Sequence, residues 1–219
     1  MAGEFIVFGA PGSGSVAVEA ALTLLGAPYR LEERGDWSET AQSEDLAKLN
    51  PMRQIPAVVL PSGELMTESA AILTYIADAH PESGLSPTLD SPLRPRFLRW
   101  MSFISAQIYS LYWIRDVPSR MAADAAHEAV VKARAQARIA EAWRTMGEQA
   151  APVGRFMLGD EISVLDIYMA VVSRWGGPRR KGFYEIAPRL APVVKAVDAE
   201  PRLAAHWAAR FPFSQGWEG

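Results

Sequence analysis

Four prolines, at positions 81, 87, 92 and 95, cut the 219-residue chain into two stretches whose hydrophobic patterns belong to different kinds of structure. Before them, short apolar runs alternate with helical patterns and turn signals; after them, every apolar pattern has the helical period. The charge changes at the same place. Residues 1–80 hold four basic side chains (Arg30, Arg34, Lys48, Arg53) against eleven acidic ones, net −7, while residues 81–219 hold eighteen against fourteen, net +4. With Gly84 and four serines and threonines, segment 81–95 reads as a linker between a domain at 1–80 and a second at 96–219.

The first stretch predicts a strand over 4–9, a breaker at 10–15, and a helix over 16–25 that stops at Gly26. A second strand follows at 29–33, then a helix capped by Ser38 or Thr40 and halted at Asn50-Pro51, because a residue before proline avoids helical geometry. Strands at 57–60 and 65–66, joined by the turn 61–64, form an antiparallel hairpin, and Thr67-Glu68-Ser69 opens a last helix. This β-α-β-α-β-β-α order is that of a thioredoxin-like α/β layer. Beyond the linker, the spacing predicts helices over 96–115 and 122–149, and a third opened by the capping box Ser163-Val164-Leu165-Asp166 and running through Trp175. Gly176-Gly177-Pro178 ends that helix, and 187–209 supplies one or two more, broken at Pro201. The fold class is α/β plus all-α, a thioredoxin-like domain followed by a helical bundle.

Composition narrows the chemistry. There is no cysteine, which excludes disulfides, thiolate metal sites, iron–sulfur clusters and a cysteine nucleophile; any thiol must come from outside. His80, His127 and His206 lie apart without metal-ligand spacing, so no metal is expected. A net charge of −3 gives no basic field for nucleic acid or an anionic membrane, and Arg179-Arg180-Lys181 reads as a solvated loop. No run of 18 apolar residues occurs and the N-terminus lacks a basic, signal-like segment, so a soluble cytoplasmic protein is expected.

One block carries more than fold: Asn50-Pro51-Met52-Arg53-Gln54-Ile55-Pro56-Ala57-Val58, then Leu60, Gly63 and Leu65, then Thr67-Glu68-Ser69 leading the helix to Ile76. With the proline linker and the late capping box, it resembles the glutathione S-transferase superfamily, in a serine-type, bacterial-like cytosolic branch. The resemblance spans the whole chain. It implies a cis Ile55-Pro56 bond whose Ile55 amide and carbonyl pair with the cysteinyl backbone of glutathione like an added strand. Glu68 and Ser69 match the family's acid–serine pair at a helix start. There the unpaired N–H groups and the helix dipole receive the γ-glutamyl carboxylate, while Glu68 accepts from the α-amino group. Arg53 falls near the family's basic residue for the glycyl carboxylate, and Gln54 adjoins the turn.

Pro11-Gly12-Ser13-Gly14-Ser15 occupies the place where the family keeps its thiol-activating residue, and only serine is available there. Ser13 follows Pro-Gly as in serine-type branches, while Ser15 lies one place after the position of the cysteine in cysteine-type branches, here Gly14; either is a candidate. A thiol of pKa about 8.5 is mostly protonated at pH 7; lowering it by about two units takes roughly 2.7 kcal/mol, which one charge-assisted hydrogen bond of about 1.5–3 kcal/mol together with a helix N-terminus can supply. The electrophile pocket is expected on the first bundle helix, at Tyr109, Tyr112, Trp113 and Arg115, whose polar tips stand on an apolar face. The resemblance thus implies a homodimeric detoxifying transferase that takes glutathione as co-substrate and a small hydrophobic electrophile. Two other readings stay open: another glutathione-dependent reaction, such as peroxide or disulfide reduction, isomerisation or dehalogenation, and a binding module without catalysis.

Overall fold

The structure, a computed structural model, describes residues 3–34, 44–176 and 181–212. The proposed caps Ser38 and Thr40, the stop at Gly177-Pro178, and Arg179-Arg180 lie outside the described residues.

The first half is a four-stranded sheet with β1 (Phe5–Gly9) at its centre, flanked by β2 (Tyr29–Glu33) on one side and β3 (Ala57–Val59) and β4 (Leu65–Met66) on the other. β1 runs parallel to β2 and antiparallel to β3, and β3 pairs antiparallel with β4, as the short turn between them requires. The parallel pair needs a crossover, supplied by α1 (Ser15–Leu25). Its alanines and leucines favour the helix. Gly26, at φ 63°, closes it by taking the left-handed conformation that lets Ala27 N–H reach the Leu22 carbonyl at 3.1 Å. α2 (Glu44–Leu49) and α3 (Ser69–Ala79) complete the layer. α1 packs against β1 and α3, and also against the buried helix of the second half.

The second half is helical: α4 (Arg94–Phe103), α5 (Ser110–Asp116), α6 (Glu128–Gln149), α7 (Val164–Ser173), α8 (Lys181–Ile186), α9 (Ala191–Asp198) and α10 (Ala204–Arg210). α4 begins inside the segment read as linker, because Pro95 suits the first helical turn, where no N–H is needed. Between α4 and α5 the helix widens into a π segment over Ile104–Tyr109. All ten residues of α7 are buried, so it is the core of this half and the floor on which α1 rests. Each of its large apolar side chains contributes roughly 1.5–3 kcal/mol. The capping box stands as expected: the Asp166 carboxylate, fully buried, accepts from Ser163 N–H at 2.9 Å, Ser163 Oγ at 2.6 Å and Met157 N–H at 2.8 Å. Burial still pushes its pKa up against those bonds.

The halves are stitched by polar contacts as well as apolar ones. Arg94 grips Asp78 with two 2.6 Å bonds, Val164 N–H meets the Leu85 carbonyl at 2.9 Å, and the His206 ring lies 3.0 Å from the Val16 carbonyl. Arg210 at the end of α10 reaches Glu19 on α1 at 2.6 Å and Glu33 on β2 at 2.5 Å.

Candidate functional site

Two cavities lie side by side between sheet and bundle. The smaller, about 140 Å³, is lined by Asn50, Gln54, Ile55, Pro56, Glu68 and Ser69 from the first half, and by Ser105, Tyr109, Ser110 and Trp113 from the second. The Ile55-Pro56 bond is cis. Asn50, itself buried, shapes this turn: its side chain donates to the Gln54 carbonyl at 2.8 Å and accepts from Met52 N–H at 3.0 Å, and Arg53 N–H bonds its carbonyl at 2.7 Å. Across the cavity, Glu68 precedes α3 with φ 65° and ψ 99°, a conformation that a side chain rarely adopts and that functional sites tolerate. Ser69 is buried at the first turn of α3, its Oγ 3.0 Å from the hydroxyl of Tyr168 on α7, a phenol that burial pushes up to about 12.

The larger cavity, about 570 Å³, takes Pro11, Gly12, Gly14, Arg34, Leu46, Arg53, Gln54 and Ile55 on the sheet side. Its helical wall holds Tyr109, Tyr112, Trp113 and Arg115, all four residues expected at an electrophile pocket, with Asp116, Val117, Arg120, Arg174, Trp175 and Phe211. Aromatic rings dominate that wall, with Trp175 edge-on to both Tyr109 and Tyr112. Five arginines, Arg34 and Arg53 from the first half and Arg115, Arg120 and Arg174 from the second, against the single carboxylate of Asp116 make its lining cationic. Several of these are anchored: Arg115 bonds Asp116 and the Trp175 carbonyl, Arg120 the Trp113 carbonyl, and Arg174 Asp198. Arg53 is exposed at the rim, in left-handed backbone at φ 53°.

Ser13 and Ser15 line neither cavity. Both are buried, and both hydroxyl protons are engaged inside the protein. Ser15 Oγ donates to Glu19 Oε1 at 2.7 Å, so across the 2.9 Å serine pair Ser13 donates and Ser15 accepts. Ser13 Oγ in turn accepts from Ser15 N–H at 3.1 Å and Ala10 N–H at 3.3 Å. A serine of this loop was expected to donate to a ligand sulfur; in this structure neither hydroxyl is turned to a cavity. The loop before α1 must satisfy its own buried N–H groups, and it uses these hydroxyls to do so.

Sequence reasoning read Asn50 as a helix stop and as the head of the proline block without giving it a role of its own, and it did not single out Ser105, Ser110, Trp175 and Phe211. Ser105 and Tyr109, four positions apart in the π segment, both reach the smaller cavity. Polar residues four apart on an otherwise apolar helix were the available signal. Trp175 and Phe211 carried none, since they reach the site only through the packing of α7 and α10. Among the described residues no group of three His, Cys, Asp or Glu is placed to hold a metal, and no helix is long and apolar enough to cross a membrane.

A thioredoxin-like layer that presents a cis-proline turn and a helix N-terminus to a helical bundle defines a protein of α/β plus all-α architecture with two neighbouring cavities between its halves. Residues 15–79 match the model of the glutathione S-transferase N-terminal domain. YncG, an uncharacterized GST-like protein of Escherichia coli strain K12, is 29% identical over 198 residues, 90% of this chain and 94% of its own. A sphingomonad glutathione S-transferase solved in complex with glutathione is 28% identical, with a TM-score of 0.75 over 94% of this chain and 98% of that one. A glutathione transferase homologue from Sulfitobacter, solved with bound glutathione, has a TM-score of 0.81 at 24% identity, over 94% of this chain and 97% of that one, a likeness of fold. The first half of the chain thus carries a glutathione S-transferase N-terminal domain, and the chain along most of its length is similar to glutathione S-transferases.

Proposed function

We propose that this protein is a glutathione transferase that binds glutathione across the smaller cavity and attacks a small electrophile held in the larger one. The observation that carries the reading is the facing of the cis Ile55-Pro56 turn and the Glu68-Ser69 helix start across a cavity continuous with an aromatic one at Tyr109 and Trp113. These residues fit the ligand's groups. The Ile55 amide and carbonyl can pair with a peptide backbone, and the amides at the start of α3 with Ser69 receive a carboxylate. Glu68 accepts from an ammonium, and Arg53 with Arg34 faces a second carboxylate. Bound there, glutathione supplies the sulfur nucleophile that the chain lacks.

The aromatic wall of the larger cavity excludes water and stacks on a flat, apolar electrophile. Its arginines support a second reading of the substrate, an aromatic electrophile that itself carries an acidic group. Paired neutral and carboxylated chloronitrobenzenes separate the two: Arg115→Gln would lower turnover of the acidic member selectively if the second holds. We further propose a cytoplasmic homodimer acting in detoxification, with the dimer testable by light scattering.

Glutathione binding is measured directly by the fluorescence of Trp113 and Trp175. Wild type is expected to titrate saturably, and Glu68→Gln to bind roughly tenfold or more weakly, as the loss of a charged hydrogen bond implies. No saturable response in the wild type, together with no retention on immobilised glutathione, would sink the reading.

A further inference from the structure

We propose that Tyr109, from the helical half, is the catalytic hydroxyl that holds the glutathione thiolate, standing in the space left by the missing side chain of Gly14. The inference rests on the glutathione reading above and adds the group that acts on sulfur.

Three observations place the hydroxyl. A Cβ built on Gly14 would come within 2.3 Å of Tyr109 Oη and 2.9 Å of its ring, closer than any real contact. Gly14 does not need to be glycine for its backbone, which is right-handed helical at φ −64° and ψ −19°; it is glycine for space, and Tyr109 fills that space. Tyr109 also lines both cavities, so its hydroxyl stands where the polar and the aromatic spaces meet. Finally, the hydroxyl lies 3.5 Å from the Ile55 carbonyl oxygen, a long and weak bond. That carbonyl is the group a cysteinyl N–H of the ligand would take. The sulfur of the same cysteine is only three bonds from its nitrogen, so a hydroxyl beside this carbonyl, over Gly14, has the sulfur within reach. Once the carbonyl is taken by the ligand amide, the phenol is released to turn to it.

The surroundings make Tyr109 a donor and not a base. Trp175 packs edge-on at 4.8 Å between ring centres and Tyr168 lies at 6.2 Å, holding the ring from two sides. Burial raises its pKa well above that of an ordinary phenol, with smaller contributions from Tyr168 and Glu68, so it keeps its proton at working pH. The step balances simply. The S–H bond breaks, its proton passes to solvent, the electron pair stays on sulfur, and the Tyr109 O–H donates to the resulting thiolate without transfer. Ser13 and Ser15, whose protons are spent on each other and on Glu19, are scaffold for the loop beneath.

The test titrates the ultraviolet absorbance of the glutathione thiolate bound to the full chain, beside the affinity for S-methylglutathione, which has no ionisable thiol. In the wild type the bound thiol is expected to titrate about one to two pH units below free glutathione. In Tyr109→Phe it should return by at least one unit, a tenfold loss of thiolate at a given pH, with S-methylglutathione affinity held within about threefold. Gly14→Ala, which pushes the hydroxyl aside, should raise the bound-thiol pKa in the same direction and carries the test should the phenylalanine variant not fold; Ser13→Ala should not raise it. A bound thiol that titrates low in both Tyr109→Phe and Gly14→Ala would overturn the assignment while leaving glutathione binding intact. A wild type that binds neither ligand would overturn the glutathione reading itself, and this inference with it.

Discussion

At the scale of single residues, the loop before α1 shows how hydroxyls expected to act on a ligand can be engaged within the fold. Ser13 and Ser15 stand beside the right strand and helix, but Glu19, one turn into α1 and wholly buried, accepts the Ser15 hydroxyl hydrogen bond. That carboxylate is held in place by Arg210, 191 positions away in the chain, at 2.6 Å. No local pattern reveals such a partner. The space is equally closed: a Cβ on Gly9 would fall 2.1 Å from Ser15 Oγ, so strand β1 ends in glycine to admit the serine. Ser15→Ala removes a hydrogen bond to a buried carboxylate and leaves the Ser13 hydroxyl without its acceptor. We expect a loss of about 2 kcal/mol in chemical denaturation, with glutathione affinity within a few-fold of wild type. A variant as stable as wild type but unable to bind glutathione would return Ser15 to the site.

At the scale of elements, the legible parts were those whose cause is local. Gly26 ends α1, Ser163 and Asp166 start α7, and the Pro61-Ser62-Gly63-Glu64 turn pairs β3 with β4, each from residues within a few positions of one another. The helix start at Glu68-Ser69 was legible in the same way, whereas the cis Ile55-Pro56 bond was expected from the family resemblance alone. What local pattern could not supply was the π segment at Ile104–Tyr109, whose wider turn interrupts the α-helical run between α4 and α5. Glu68 shows the same tension between stability and function. Its left-handed backbone costs a side chain about 1 kcal/mol or more, and glycine relieves that cost. Glu68→Gly should therefore raise the thermal midpoint by about 2–4 °C while weakening glutathione binding tenfold or more, read by calorimetry and by tryptophan fluorescence. The Asp78–Arg94 pair ties the end of α3 to the start of α4 across the proline segment, and Arg94 holds the Asp78 carboxyl below its usual range. Because the folded pKa is depressed, this stability is present in full above the unfolded value near 3.9 and is lost as pH falls through the folded one. Asp78→Asn should cost about 1–2 kcal/mol at neutral pH, with partial exposure reducing the figure, and should flatten the acid limb of the stability curve.

At the scale of the whole molecule, the two halves form one structure because α1 belongs to both. It carries the sheet on one side and meets α7 and α10 on another, so that a chain with a sharp change of composition at its prolines nonetheless shares a continuous core. The C-terminal helix closes this arrangement over the site. Gly12 N–H bonds the Arg210 carbonyl at 2.8 Å, Trp175 Nε1 donates to the Gly12 carbonyl at 2.7 Å, and Phe211 lines the larger cavity. His206 sits in the same seam. Its ring nitrogen lies 3.0 Å from the Val16 carbonyl, and the charged groups around it are Glu19, Arg210 and Arg174. Burial, the largest influence, depresses its pKa; Glu19 and the Val16 carbonyl oppose that, and the two arginines reinforce it. A histidine depressed in the fold binds its proton more readily when unfolded. Its contribution to stability is thus complete above the unfolded value near 6.5 and is lost as pH falls below that toward the folded value. Stability measured by denaturant should fall as pH drops from 7.5 to 5, with a slope from this one group that stays below the limit of about 1.4 kcal/mol per pH unit set by one proton. His206→Gln, which can still donate to the Val16 carbonyl, should lack that slope. Because α10 covers the site loop, acid loosening of this seam should also lower glutathione affinity over the same pH range in the wild type and not in the variant, and an identical decline in both would place the pH sensitivity elsewhere.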